Sequence, residues 1–314
     1  MRLAHYLAAA ATTFALVACG GDDGDNPSVD AANMLPNPGF PVPTAPTKAN
    51  ERQGGVWTEL GPANWSCLNT ASTDQPSTQT ISMSGLIEDF QTGAGVGAAA
   101  ITAFPGIDLN GNSGTATSDN NAQTRGEYTI SLAQLPSGTT RYGFKFEAAS
   151  YVKTYLLNQY VDPATATQTR DMAAVSEATA LALPAFIGVT RDVTKGVLAG
   201  AFRDCDGNEV SNAVATVSST SGTVTHLDGA KTFYFSAGSS SLPVRHTVSP
   251  VMNKDGLFVV LDLPPQTGAA YVQIWGFVDD ADLADGQMTL LSELASPVEA
   301  NAVITGSFEP KRSN

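Results

Sequence analysis

The sequence predicts an all-β protein: two consecutive β-sandwiches joined by a short helix and preceded by a disordered tether. Three observations carry that expectation. Short stretches of alternating apolar and polar residues recur, separated by turns rich in Gly, Pro, Asn and Asp. An ordered set of these features occurs twice, beginning at LIEDFQTGAGVGAAAITA (86–103) and again at AFRDCDGNEVSNAVATV (201–217). Charged residues make up only 15% of the chain, against 29 glycines, which fits an exported β-rich protein better than a helical cytosolic one.

The N-terminus gives an address. In MRLAHYLAAAATTFALVACGG one cation, Arg2, precedes an apolar run from Leu7 to Ala18. That run is shorter than the ~20 residues needed to span a bilayer, and it has the layout of an export signal. Leu16-Val17-Ala18-Cys19 resembles the lipobox of bacterial lipoproteins. The resemblance implies removal of residues 1–18 and lipidation of Cys19. One acyl chain anchors only marginally, at roughly 0.8 kcal/mol per buried CH₂, so several chains on one residue would hold firmly. Gly20 follows the cysteine, where an Asp would signal inner-membrane retention. The resemblance therefore implies the outer membrane or cell surface, with the membrane itself as a partner. An ordinary secretory signal that contains a cysteine is the alternative.

Residues 19–56 read as a Pro/Gly/Asp-rich tether with no hydrophobic period, unable to bury enough apolar surface to offset ordering. A flexible chain of this length would hold the folded part roughly 30 to 35 Å from its anchor. A proline-rich ligand for a partner domain is the other reading.

The first sandwich is expected over residues 57–161. Ser82 to Asp89 alternates as a strand, Gln91-Thr92-Gly93-Ala94-Gly95 turns, and Val96 to Phe104 alternates again. Arg125 to Leu132, Leu135-Pro136 and the aromatic strand Tyr142 to Glu147 follow. In the linker, residues 162–194, Met172, Val175, Thr179 and Ala182 recur at helical spacing. Asp171 is the expected cap and Pro184 the expected stop.

The second sandwich, residues 195–314, repeats the order. Gly85 aligns with Gly200, Asp89 with Asp204, Val96 with Val210, Gly126 with Gly256 and Tyr128 with Phe258. An insertion at 218–251, containing Thr232-Phe233-Tyr234-Phe235, is either an extra hairpin or an elaborated loop. The repeated set resembles the carboxypeptidase regulatory-like domain, over roughly 80 and 75 residues of the two halves. That resemblance implies transthyretin-like (prealbumin-like) sandwiches, with Tyr128 and Phe258 pointing into their cores; immunoglobulin-like topology is the alternative.

The formal net charge of −14 argues against nucleic acid as a partner. His226 and His246 lie in the insertion near Asp228, Tyr234 and Arg245. The intradiol dioxygenases, which share the prealbumin-like fold, hold iron through two Tyr and two closely spaced His. These two are twenty residues apart, and they are read as exposed loop histidines. No Gly-x-Ser-x-Gly elbow occurs, and His and Cys are too scattered for a zinc site. Asp108 to Asn112 and Asp279 to Asp285 carry calcium-type oxygens without completing the twelve-residue pattern, and are read as solvated loops. No metal or cofactor is expected. With Cys19 lipidated, Cys67 and Cys205 remain as an even pair for an oxidising compartment, and a disulfide between them is expected.

The function expected is non-enzymatic: a lipid-anchored envelope protein whose sandwiches act as spacers or as modules binding an envelope protein. Carbohydrate binding is the alternative, with Trp57, Trp65 and Trp275 as candidates and Trp275 the more core-like. A further alternative is an enzyme with an unrecognised site in the second half.

Overall fold

The computed structural model describes residues 41–313 except 224, 239–241 and 246. The signal, Cys19, most of the expected tether and His246 lie outside the described residues.

The chain enters as a hairpin, β1 (Lys48–Gln53) and β2 (Val56–Pro62). Six strands build the first half: β3 (Ile81–Asp89), β4 (Ala100–Pro105), β5 (Gly114–Thr117), β6 (Glu127–Leu132), β7 (Arg141–Glu147) and β8 (Lys153–Tyr160). Alternation sets which face is buried. In β6, Tyr128, Ile130 and Leu132 are buried while their neighbours are exposed. They pack with Met83 and Ile87 of β3 against Ile101, Phe144 and Phe146 of the facing layer.

Two short strands, β9 (Thr167–Thr169) and β10 (Met172–Ala174), run parallel to β3, and α1 (Glu177–Ala185) follows. The second half comprises β11 (Gly196–Phe202), β12 (Glu209–Ser211), β13 (Ala213–Ser218), β14 (Lys231–Phe235), β15 (Pro243–Val244), β16 (Leu257–Leu263), β17 (Ala270–Gly276), α2 (Asp280–Asp285), β18 (Thr289–Ser296) and β19 (Ala302–Phe308).

The fold is all-β and sandwich-like, and the duplication is visible in its register. In the first half Gly85 of β3 pairs with Tyr128 of β6; in the second, Gly200 of β11 pairs with Phe258 of β16. The backbone N–H of Ile87 donates to Gly126 O at 2.8 Å, and that of Phe202 to Gly256 O at 2.9 Å. Asp89 Oδ1 accepts from the N–H groups of Gln91 and Thr92, and Asp204 Oδ1 from those of Asp206 and Asn208. The acid is retained because it closes the turn. The order β4-β7-β8 in one half corresponds to β13-β17-β18 in the other.

The two sandwiches are not independent. One layer of each is fused into a nine-stranded sheet, ordered β15-β14-β16-β11-β19-β8-β7-β4-β5. The seam is the parallel pair β8 and β19, with Tyr155 opposite Ile304 and Leu157 opposite Gly306. In β19, Ala302, Val303 and Ile304 are all buried, as expected of a central strand covered on both faces. Across the seam Tyr155 Oη donates to Glu299 at 2.8 Å, Lys153 pairs with Glu299 at 3.0 Å, and Arg141 pairs with Glu309 at 2.8 Å.

The expected boundaries at 56 and 57 also move. β1 pairs with β12, not with the first half: Ala49 lies opposite Val210 and Asn50 opposite Glu209. Thr47 and Asn50 are fully buried. Thr47 Oγ1 donates to Phe277 O, and Asn50 Nδ2 donates to Lys48 O and Ser211 Oγ. The end of the assigned tether, and the first strand after it, are therefore parts of the second half. Hydrogen bonding to a distant strand orders a segment that has little apolar surface of its own.

The linker helix is shorter than expected. Met172–Ala174 is the strand β10, and the helix starts at the cap Ser176, whose Oγ accepts from the Thr179 N–H. Pro184 lies inside the last turn instead of ending the helix. Val175 and Ala180 pack with Val152 and Val303, so this segment covers the seam. The insertion supplies the hairpin β14–β15, which extends the large sheet at one edge. No helix among the described residues is long and apolar enough to cross a membrane.

Candidate functional site

In β11 and β16, Leu198, Phe202, Phe258 and Val260 face the second core. Alternation turns Ala199, Ala201, Leu257 and Val259 to the opposite face of the sheet. That face is only partly covered, and a groove runs along it.

At one end lies a cavity of about 80 Å³, bordered by Arg52 and Trp57 of the entry hairpin, Phe90, Phe235, Ala199 and Asp255. A second cavity of about 70 Å³ adjoins it and shares Phe90, Ala199, Phe235 and Thr305; Pro184, Val259 and Leu261 close it beneath α1. The groove is thus built by the entry hairpin, the turn after β3, the linker helix and the sheet of the second half. It exists only because the halves are fused. Phe90 is held there through its N–H, which donates to Ala174 O, and the adjacent Gln91 Oε1 accepts from Thr179 Oγ1.

The lining is apolar except at the hairpin end. There Arg203 and Glu209 form an ion pair at 3.1 Å. Asp255 is 1% exposed; its Oδ1 accepts from the Leu257 N–H at 3.2 Å, and its Oδ2 has no hydrogen-bond partner among the described residues. Burial pushes this carboxyl up to about 7; the N–H groups of Leu257 and of Asp255 itself oppose the shift, as does the Arg52 charge, while the Glu209 charge adds to it. An open polar cleft, bordered by Asp206, Asn208, Glu309 and Arg312, shares Arg52, Arg203 and Glu209 with the groove and runs past Cys205. Such a cavity, largely apolar with a few convergent polar groups, has the make-up of a ligand site.

The residues singled out from sequence fare differently. Cys67 and Cys205 are joined by a disulfide with Cα atoms 5.7 Å apart, which pins the segment after β2 to the first turn of the second half. Trp57 borders the groove. Trp65 stacks on Phe202 at 5.7 Å and donates through Nε1 to Thr47 Oγ1, and Trp275 is buried.

His226 is not an exposed loop residue. It is 5% exposed, because the insertion folds back onto β13. Its Nδ1 accepts from the Val217 N–H at 3.0 Å and its Nε2 lies 3.2 Å from Ala230 O, which sets the Nε2-protonated tautomer. Burial holds its pKa down to about 4. Tyr234 is wholly buried, and its Oη accepts from the Ala215 N–H. Both side chains serve the core.

Asp108 Oδ1 accepts from the Asn110 N–H, and Asp279 Oδ1 caps α2 through the N–H groups of Ala281 and Asp282. No group of three or more His, Cys, Asp or Glu side chains placed to hold a metal occurs among the described residues. Sequence reading missed Asp255, Arg52 and Phe90. Asp255 had one available sign: it precedes Gly256 where the aligned residue of the first half, before Gly126, is Arg125.

No protein-family model matches the chain, and no curated protein matches it. Among solved structures it is similar to hydroxyquinol 1,2-dioxygenase from Pseudomonas putida DLL-E4, at 16% identity over 41% of this chain and 67% of that one, with a TM-score of 0.22. It is also similar to the shaft pilin SpaA from Lactobacillus rhamnosus GG, at 12% identity over 76% and 98% of the two chains, TM-score 0.22. A carbohydrate-binding candidate from Bacteroides uniformis ATCC 8492 aligns at 13% identity over 71% and 98%, TM-score 0.23. Likeness at this level assigns no activity to the chain.

Proposed function

We propose that the protein is a non-enzymatic binding module of the bacterial envelope, exported and anchored through lipidated Cys19 to the outer membrane. In this reading the fused body is held off the bilayer by the segment between Cys19 and β1. The regulatory-like resemblance of each half supports a binding rather than a catalytic role. The observation that carries the reading is the groove, an apolar cavity assembled from both halves with a buried carboxyl at its end. Carbohydrate recognition is a second reading, favoured by Trp57 at the groove's edge; binding of glycans on an array, lost with Trp57→Ala, would select it.

Metabolic labelling with an alkyne fatty acid, followed by membrane fractionation, tests the anchor. The wild-type chain is expected to carry label and sediment with outer membranes, and Cys19→Ala to lose both. An unlabelled wild-type protein in the soluble periplasmic fraction would contradict the assignment.

A further inference from the structure

The unpartnered oxygen of Asp255 defines what the groove lacks. The carboxyl is almost wholly buried, one of its oxygens is used by the Leu257 N–H, and the other meets no protein donor among the described residues. Buried polar atoms without partners are rare, and each calls for a physical reason. Here the group borders a cavity that Phe90, Phe235, Leu257 and Ala201 also line, with Arg52, Arg203 and Glu209 as the other charged groups on its rim.

We propose that the groove binds a neutral apolar molecule bearing a hydroxyl group at one end, with Asp255 as the partner of that hydroxyl. The proposal rests on reading the folded body as a binding module, and it adds the chemistry of the ligand.

Charge selects the head group. Arg52, Arg203, Glu209 and Asp255 all border this end of the cavity, two cations and two acids. With Asp255 ionised these charges balance, so above its pKa an amine or a carboxylate on the ligand would add an uncompensated charge in an apolar enclosure, which is expensive; a neutral head group adds none. A hydroxyl also both donates and accepts. It can donate to the Asp255 carboxylate or accept from the carboxylic acid, and burial, pushing the group to about 7, makes both forms accessible near neutral pH. A ketone or ether could serve only the protonated form.

The body of the molecule is set by the second cavity. It adjoins the first, sharing Phe90, Ala199, Phe235 and Thr305, and reaches Val259 and Leu261, so the apolar end of a molecule held at Asp255 is directed along the sheet towards it.

Calorimetric titration of 1-octanol into the full chain carrying Cys19→Ala, at about pH 8 so that Asp255 is ionised and in detergent-free buffer so that no acyl chain competes, tests this. One saturable site is expected, with 1-aminooctane and octanoate binding at least tenfold more weakly. Asp255→Leu should weaken 1-octanol at least tenfold. Asp255→Asn, which keeps an acceptor for the Leu257 N–H and a polar partner for the hydroxyl, should stay within threefold. Ala199→Phe fills the wall common to both cavities and should abolish binding. Should Asp255→Leu fail to fold, the head-group series and Ala199→Phe still decide. Equal affinity for all three head groups, or 1-octanol binding unchanged in Asp255→Leu, would overturn the role of Asp255 while leaving an apolar site. No saturable binding of any probe would overturn the groove as a site, while fatty-acid labelling judges the membrane anchor separately.

Discussion

Gly126 and Gly256 occupy the same point in the two halves, each where a side chain would strike a neighbouring strand. A Cβ on Gly126 would lie 2.5 Å from Ile87 O and 2.9 Å from Val96 N; one on Gly256 would lie 2.7 Å from Phe202 O and 3.1 Å from Val210 N. Both residues have positive φ, +92° and +61°. The repeat is thus kept by sterics at its tightest crossing, where only glycine lets β3 or β11 approach the following turn.

Gly126→Ala and Gly256→Ala should therefore each destabilise the protein. Gly138 supplies the control: its φ is +84°, yet a Cβ there would meet nothing within 4 Å. Left-handed strain alone costs about 1–3 kcal/mol. In urea unfolding, the two crossing variants are expected to lose at least ~1 kcal/mol more than Gly138→Ala. Equal losses at all three positions would show that the close approach contributes nothing.

The Cys67–Cys205 bond closes a separation of 138 residues. Loop-closure reasoning gives about 5 kcal/mol for a loop this long, and removing a native disulfide typically costs about 2–5 kcal/mol. Cys67→Ser should lower stability within that range. In the Cys19→Ala background no thiol should titrate until a reductant is added to unfolded protein. Two thiols titrating without reductant would contradict the bond.

Asp255 and His226 should give opposing pH slopes. Asp255 keeps its proton in the folded state up to about pH 7, whereas the unfolded chain releases it near pH 4. Its contribution to stability therefore falls as pH rises through that interval and is level above it. His226 is neutral in the folded state down to about pH 4, while the unfolded chain takes up a proton below about 6.5. Its contribution rises with pH between those values. Chemical denaturation at a series of pH values should show Asp255→Asn steepening the rise between pH 4 and 6.5, and His226→Gln exposing the fall. A profile unchanged by either substitution would contradict both assignments.

The sequence disclosed what local chemistry enforces. Asp89 and Asp204 close turns through their own side chains, Gly126 and Gly256 sit where no other residue fits, and Tyr128 and Phe258 alternate into cores. These features recur because the same contacts recur. Long-range pairing left no such mark. Nothing near Leu157 announces Gly306 as its parallel neighbour, and Lys48 to Gln53 is too polar to reveal a strand that β12 stabilises. Met172 to Ala174 carries small and apolar residues that suit a helix or a strand, and β3 decides between them. Ser176, two residues beyond that strand, was the real capping residue. The groove was illegible for the same reason: Phe90 meets Arg52 and Asp255 only because the halves share a sheet.

Hydrogen exchange followed by mass spectrometry along β8 and β19 tests that shared sheet most directly. If the halves are one fused body, the amides of Leu156, Leu157, Ile304 and Thr305 should exchange as slowly as those of Ile130 and Val272, in a single cooperative opening. Rapid exchange of one amide in each adjacent pair, the one aimed across the seam, while its neighbour bonded to β7 or β11 and Ile130 and Val272 stay protected, would mean two separate sandwiches and no groove between them.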